Sequence, residues 1–182
     1  LAVSSNVYFY AIGGGFGDQP GVGIERLADY AKRFGFGFPT GIGVWPEEEG
    51  TIPTPAWKAA NFEGEDWRLG DTYNTVIGQY GFQVTPLQLL RAVAAVAADG
   101  RLFTPTVLAR DTGPEPASKT IAGLTPESLK IVGEGMRLSV TDGVASGLDT
   151  PAVTVAAKTG TAQWGAAKQY VNSWVTGFFP YE

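Results

Sequence analysis

The chain contains no cysteine and no histidine. Without cysteine there is no disulfide and no thiolate zinc site. Without histidine there is no Ser-His-Asp relay and little basis for a transition-metal centre. No metal and no cofactor is therefore expected. A general base here must be lysine, a carboxylate or tyrosine, which directs attention to a serine assisted by lysine. Cations are also sparse: 13 Lys and Arg stand against 18 Asp and Glu, for a net charge of −5. No basic stretch could follow a phosphate backbone, so nucleic acid is not an expected partner. No apolar run reaches the roughly 18 residues of a membrane-spanning helix. The longest, Leu87 to Ala98, is broken by Arg91 and reads as a core helix. No signal-peptide pattern follows Leu1, so a targeting or anchoring segment, if the parent protein has one, is expected outside this chain.

What is present describes a globular unit. The 182 residues are 44% apolar and 17% charged, long enough for one core and too apolar for disorder. The 25 glycines and 12 prolines imply many turns.

Leu1 to Tyr10 opens on apolar and hydroxyl residues without an evident cap and reads as the middle of an element. Gly13 to Gly23 is glycine-rich and is expected to be a loop. Its glycines lack the following Lys-Ser/Thr or the framing strand of a nucleotide loop. Ile24, Leu27, Ala28, Ala31 and Phe34 recur at helical spacing. From Phe36 to about Tyr73 no period is sustained, and a long ordered excursion packed by Trp45, Trp57 and Trp67 is expected. Thr85-Pro86 starts the clearest helix, a capping hydroxyl followed by a proline suited to the first position. Its expected buried stripe is Leu87, Leu90, Val93, Ala94 and Ala97, and Gly100 stops it. Arg101 to Ala109 reads as extended and Arg110 to Lys119 as a polar loop. Thr125-Pro126 starts a helix to about Val140. Val153 to Trp164 and Ser173 to Tyr181 are β-rich and are expected to be adjacent antiparallel strands around a turn holding Gly165 and Lys168.

Two clusters carry chemistry. Lys158-Thr159-Gly160 follows Val153, Val155, Ala156 and Ala157, so a cation is delivered beside buried surface, where its field is less screened. Such a lysine can hold a carboxylate or polarise a serine hydroxyl. Gly160 leaves room for an extended ligand along the strand, and Thr159 and Thr161 add hydroxyls for a carboxylate. Far upstream, Ser4-Ser5-Asn6 is an S-x-N cluster. In a functional role Ser4 would relay a proton, Asn6 would hydrogen-bond an amide of the acyl donor, and Ser5 would point away. The pairing of S-x-N with K-T-G belongs to enzymes that attack acyl groups with a serine. Their third motif, S-x-x-K with the nucleophile, does not occur in this sequence. The run Glu47-Glu48-Glu49 reads as a solvated charged face, and Gly143 to Gly147 as a loop near the site.

The segments Ala2–Tyr10, Phe34–Gly43, Pro53–Lys58, Gly70–Pro105, Ala156–Gln163 and Asn172–Pro180 together resemble, in order and nearly end to end, the transpeptidase domain of penicillin-binding proteins. Among these the chain is most similar to the class B, elongation-type enzymes. The resemblance implies an α+β fold, an antiparallel sheet flanked by helices as in serine β-lactamases. Of its five strands, the third carries Lys158 and the fourth spans Ser173 to Tyr181. It also implies a serine D,D-transpeptidase of peptidoglycan synthesis that is trapped by β-lactams. Carried onto this sequence, Ser4, Asn6 and Lys158 are catalytic, and Thr159, Gly160 and Thr161 bind substrate.

Against the family pattern, residues 1–182 are expected to be a partial domain lacking the S-x-x-K part, the final strand and the C-terminal helix. Asn172 stands where relatives often have a histidine. The chain alone is accordingly expected to be inactive, with open edges and apolar faces that leave it marginal, oligomeric or dependent on its missing half. The parent protein is expected at the cell envelope, on the extracytoplasmic face of the inner membrane, with a glycosyltransferase partner and membrane attachment only through an absent segment. A non-catalytic penicillin-binding sensor, or a β-lactamase or D,D-carboxypeptidase, are the competing readings.

Overall fold

A computed structural model describes residues 1–108, 115–165 and 169–182. Residues 109–114, which include parts of the expected extended piece and polar loop, lie outside the described residues, as does Lys168. Helix α1 (Asn6–Gly14) leads through a two-strand ribbon, β1 (Gly15–Phe16) and β2 (Gln19–Pro20), into α2 (Ile24–Arg33). Helices α3 (Pro55–Asn61), α4 (Leu69–Val76) and α5 (Pro86–Ala97) follow, then β3 (Arg101–Phe103) and β4 (Ser118–Thr120). Helix α6 (Pro126–Thr141), a 3-10 turn (Ser146–Leu148), β5 (Ala156–Trp164) and β6 (Tyr170–Phe178) complete the order.

Three helices begin by one device. Thr54, Thr85 and Thr125 precede prolines, and each hydroxyl accepts the backbone N–H three residues on, at 3.1 Å. The first of these starts lies inside the stretch expected to be an aperiodic excursion, and that expectation is corrected: α3 and α4 occupy it. Both are too short for a period to stand out, but Thr54-Pro55 carries the same start signal as Thr85-Pro86. The opening segment is also corrected. Ser5 caps α1, accepting from the Tyr8 N–H at 3.3 Å, and the helix runs on to Gly14, into the expected loop.

Strands β5 and β6 form the principal antiparallel pair, with Lys158 opposite Thr176 and Gly160 opposite Trp174. The sheets among the described residues are each two-stranded. Helix α6 packs on β5 and α5 contacts β6, so the hairpin is flanked by helices. The strand boundaries differ from the expected ones. Pairing begins at Ala156 rather than Val153, and β6 spans 170–178 rather than 173–181. Pro180 has no N–H to donate, and beyond it a single bond, Tyr181 N–H to the Thr154 carbonyl at 2.8 Å, continues the contact. Ser118 and Lys119, expected in a loop, pair with β3.

The core has two centres: Ala95, Leu102 and Ile121, joined by Phe34 and Leu124, and Val140, Ala145 and Ala157, joined by Val155. On α5 the buried residues are Gln88, Ala92 and Ala95, while Leu90 is 59% exposed, which overturns the expected leucine stripe. Gln88 is buried for its hydrogen bonds. Its Nε2 donates to the Phe38 and Glu49 carbonyls at 2.8 and 2.9 Å, and its Oε1 accepts from the Thr85 N–H at 2.9 Å. It ties the excursion to the helix and satisfies backbone groups that burial would leave costly. Trp57 and Trp67 pack the excursion against Tyr80; Trp45, at 56% exposed, does not. Glu47 is no solvated charge. Its carboxylate accepts from the Thr40 N–H, the Thr40 hydroxyl and the Gly41 and Ile42 N–H groups at 2.6–3.3 Å.

Candidate active site

The first four residues are pinned by packing. Leu1 lies against Gly135 of α6, where a Cβ would come within 2.7 Å of its Cδ1. The Val144 N–H donates to the Ala2 carbonyl at 3.1 Å, and the Ser4 N–H to the Leu1 carbonyl at 3.1 Å. The turn puts Ser4 at φ +50°, left-handed for a serine. Val140 of α6 and Ala145 share a core cluster with Ala157. The elements that hold Ser4 are therefore the ones that hold the start of β5.

The outcome is a direct contact. Lys158 Nζ donates to Ser4 Oγ at 2.7 Å, and also to the Thr159 carbonyl. Among the described residues no carboxylate pairs with Lys158. Burial pushes its ammonium below the ordinary lysine value of 10.5. A half-buried cation without a counter-ion attracts an anionic ligand, because its field is less screened than at the surface.

Around this contact lies an open cavity of ≈ 970 Å³ whose polar wall includes Ser4, Asn6, Asn74, Gln79 and Lys158. Thr159, Gly160 and Thr161 line it as well. Strand alternation sends Lys158 and Gly160 to one face and Thr159 and Thr161 to the other. All four reach the cavity because, among the described residues, β5 pairs only with β6 and its other edge forms the wall. A Cβ on Gly160 would meet only the Trp174 Cβ, at 3.5 Å, an ordinary contact. The fold does not require glycine there, which leaves the open edge itself as the place where a side chain would matter. Ser5 caps α1 and takes no part in the site.

A second cavity of ≈ 580 Å³ shares Lys158, Gly160, Gln79 and Tyr80 with the first and is lined further along by Phe36, Leu89 and Trp174. Gln79 and Tyr80 border both, and Gln79 Nε2 donates to the Thr161 carbonyl at 3.4 Å. The sequence reading assigned them no role. The signal was the flanking pair Gly78 and Gly81, both at φ +77°, which makes Gly-Gln-Tyr-Gly a tight loop presenting two polar-tipped side chains. Val144 reaches the first cavity from the 143–147 loop. Among the described residues no cluster of His, Cys, Asp or Glu could hold a metal ion, and no helix is long and apolar enough to cross a membrane.

Comparisons with known proteins show the family. The family profile described as the penicillin binding protein transpeptidase domain matches residues 1–182. The chain is 34% identical over 170 residues to the peptidoglycan D,D-transpeptidase MrdA of Acinetobacter baumannii, an alignment covering 90% of this chain and 24% of that protein. It superposes on penicillin-binding protein PBP2 from Helicobacter pylori with a TM-score of 0.81 at 33% identity, over 99% of this chain and 32% of that one. A structure of a peptidoglycan synthase complex, described as coordinating polymerization and crosslinking, gives 0.81 at 28% identity, over 100% of this chain and 30% of that one. The chain thus spans well under half the length of these relatives. A lysine on a β-edge gripping the serine of S-x-N, on a backbone shared with PBP2 and under a profile that matches every residue, places the chain in the family of penicillin-binding protein transpeptidase domains.

Proposed function

We propose that these residues form the substrate groove of a serine D,D-transpeptidase that cross-links peptidoglycan stem peptides and is acylated by β-lactams. The observation that carries this reading is the 2.7 Å bond from Lys158 Nζ to Ser4 Oγ at the open edge of β5. The ligand is a peptide ending in D-Ala-D-Ala, laid along that edge as an added strand. Lys158 holds its terminal carboxylate, with the Thr159 and Thr161 hydroxyls as further donors. Gly160 leaves space for its backbone, and Asn6 hydrogen-bonds an amide of the acyl donor.

The nucleophile is the serine of an S-x-x-K motif, absent from these 182 residues and supplied by sequence outside them. Its Oγ attacks the penultimate carbonyl, the C–N bond to the terminal D-Ala breaks, and the serine proton passes to the leaving amine. Ser4, bonded to Lys158, relays that proton. In the second half an amine of a neighbouring stem attacks the ester, the new amide forms, and the serine oxygen takes back a proton. By likeness to the synthase complex, a glycosyltransferase is the proposed partner. The proposed location is the cell envelope outside the cytoplasm, with the membrane reached only through another segment.

The test is incubation of the protein carrying these residues in its full reading frame with a D-Ala-D-Ala peptide and an amine acceptor. Release of D-Ala matched by a new amide is expected. Release without amide would make water the acceptor and the protein a carboxypeptidase, and no release would leave a binding module.

A further inference from the structure

Lys58 is a buried ammonium for which the proposed chemistry has no use. It projects from α3, and its Nζ reaches Asp71 Oδ2 and the Asp66 carbonyl, each at 2.8 Å, and Glu65 Oε2 at 3.4 Å. Asp71 is fixed from its own side too, accepting the Arg68 N–H at 2.7 Å in the first turn of α4. The lysine is raised above its ordinary value by the bond to Asp71, so the pair stays charged. A buried ion pair is weak support for stability, because desolvation of both ions offsets their attraction. What it orients is therefore the informative question.

It orients Tyr80. The Tyr80 hydroxyl lies in the field of this pair: burial first, and then the Asp71 charge, raise it above the ordinary phenol value. Its ring is enclosed by Trp57, Phe62 and Trp67 at centroid separations of 5.9, 6.2 and 5.8 Å. The backbone of Tyr80 is left-handed at φ +60°, a conformation that persists in a bulky residue only when its surroundings impose it. A Cβ on Gly81 would come within 2.6 Å of the Trp57 ring, so the loop is pressed onto the same cage. With Tyr80 held, its neighbour Gln79 is turned toward β5 and donates to the Thr161 carbonyl at 3.4 Å.

We propose that Lys58, Asp71 and Tyr80 are positioning residues for the groove. The ion pair and aromatic cage lock Tyr80, Tyr80 sets Gln79, and Gln79 holds the Thr161 end of the β5 edge where the ligand lies. The ring contacts with Trp57, Phe62 and Trp67 carry the structural half; the identity of the ligand rests on the transpeptidase reading.

The test uses the protein in its full reading frame. Tyr80→Phe keeps the ring in its cage and removes only the hydroxyl that faces the pair, so the protein should still fold, with a melting temperature at most a few degrees lower. Backbone hydrogen exchange over residues 159–163 should rise about threefold to tenfold, the worth of one lost hydrogen bond. The dissociation constant of the initial complex with benzylpenicillin should rise by a similar factor, with the acylation step unchanged. Gln79→Ala should reproduce both effects, and Tyr80→Phe should add nothing in the Gln79→Ala background. Lys58→Met should show the same pattern on a lower melting temperature. Unchanged exchange and dissociation constant in Tyr80→Phe, or effects of Tyr80→Phe and Gln79→Ala that multiply independently, would overturn the network. A wild-type protein never acylated by penicillin would refute the transpeptidase reading instead, and the exchange measurement would still decide the network.

Discussion

Lys158 and Ser4 are 154 residues apart in the chain and 2.7 Å apart in space. The contact exists because Leu1 packs on α6 while α6 and the 143–147 loop pack on Ala157.

The titration of Lys158 gives the first prediction. Burial lowers its folded-state pKa below 10.5, so in the window between the lowered value and 10.5 the folded state binds fewer protons than the unfolded one. Stability then rises with pH across that window, and the cost of burying the cation is fully present below it. Ligand capture moves the other way, because the carboxylate-binding charge is lost as pH climbs through the lowered pKa. Acylation by penicillin should decline on the alkaline side at a pH below 10.5, and in Lys158→Arg, which keeps its charge, that decline should vanish. A wild-type profile flat to pH 10.5 would contradict this.

Gly160 separates fold from function. Gly160→Ala should melt like wild type, since its Cβ makes only an ordinary 3.5 Å contact. Acylation should fall about tenfold, the effect of a steric overlap costing roughly 1–3 kcal/mol. A variant acylated at the wild-type rate would show that the ligand does not lie along this strand.

Glu47 is a structural carboxylate. Burial raises its pKa, but the bonds from Thr40, Gly41 and Ile42 outweigh this and the net direction is down from 4.5. The stabilisation is present above pH 4.5 and is lost as pH falls through the lowered value. Glu47→Gln cannot accept all four donors and should cost about 1–2 kcal/mol at neutral pH, read as a lower urea midpoint at unchanged slope. Equal midpoints would remove Glu47 from the account.

Leu102 is 1% exposed and central to one core cluster. Leu102→Ala should cost about 2–5 kcal/mol, measured the same way. A loss under about 1 kcal/mol would mean that the site collapses around the gap.

Much of this was legible in the sequence, and what was missed has physical reasons. The Lys158 strand, its antiparallel partner and the helix starts at Thr85-Pro86 and Thr125-Pro126 are local signals, a two-residue period and a capping hydroxyl; Thr54-Pro55 carries the same signal but was read as part of the excursion. The buried face of α5 was misread because hydrophobicity favours Leu90, whereas the excursion needs Gln88 for its carbonyls. Glu47 looked solvated because a charge run says nothing of N–H groups folded over it from residues 40–42. Tyr80 and Gln79 were inside the resembling segment but carry no motif. Their importance comes from a left-handed backbone and an ion pair between α3 and α4, which only the tertiary structure brings together.

The most direct measurement is the rate at which fluorescent penicillin labels the full-reading-frame protein, wild type against Lys158→Ala, with melting curves alongside. The account predicts a cooperative melt in both proteins and labelling slowed about 10- to 100-fold, the worth of a charged hydrogen bond to the ligand carboxylate. Labelling at the wild-type rate by a folded Lys158→Ala protein would contradict it.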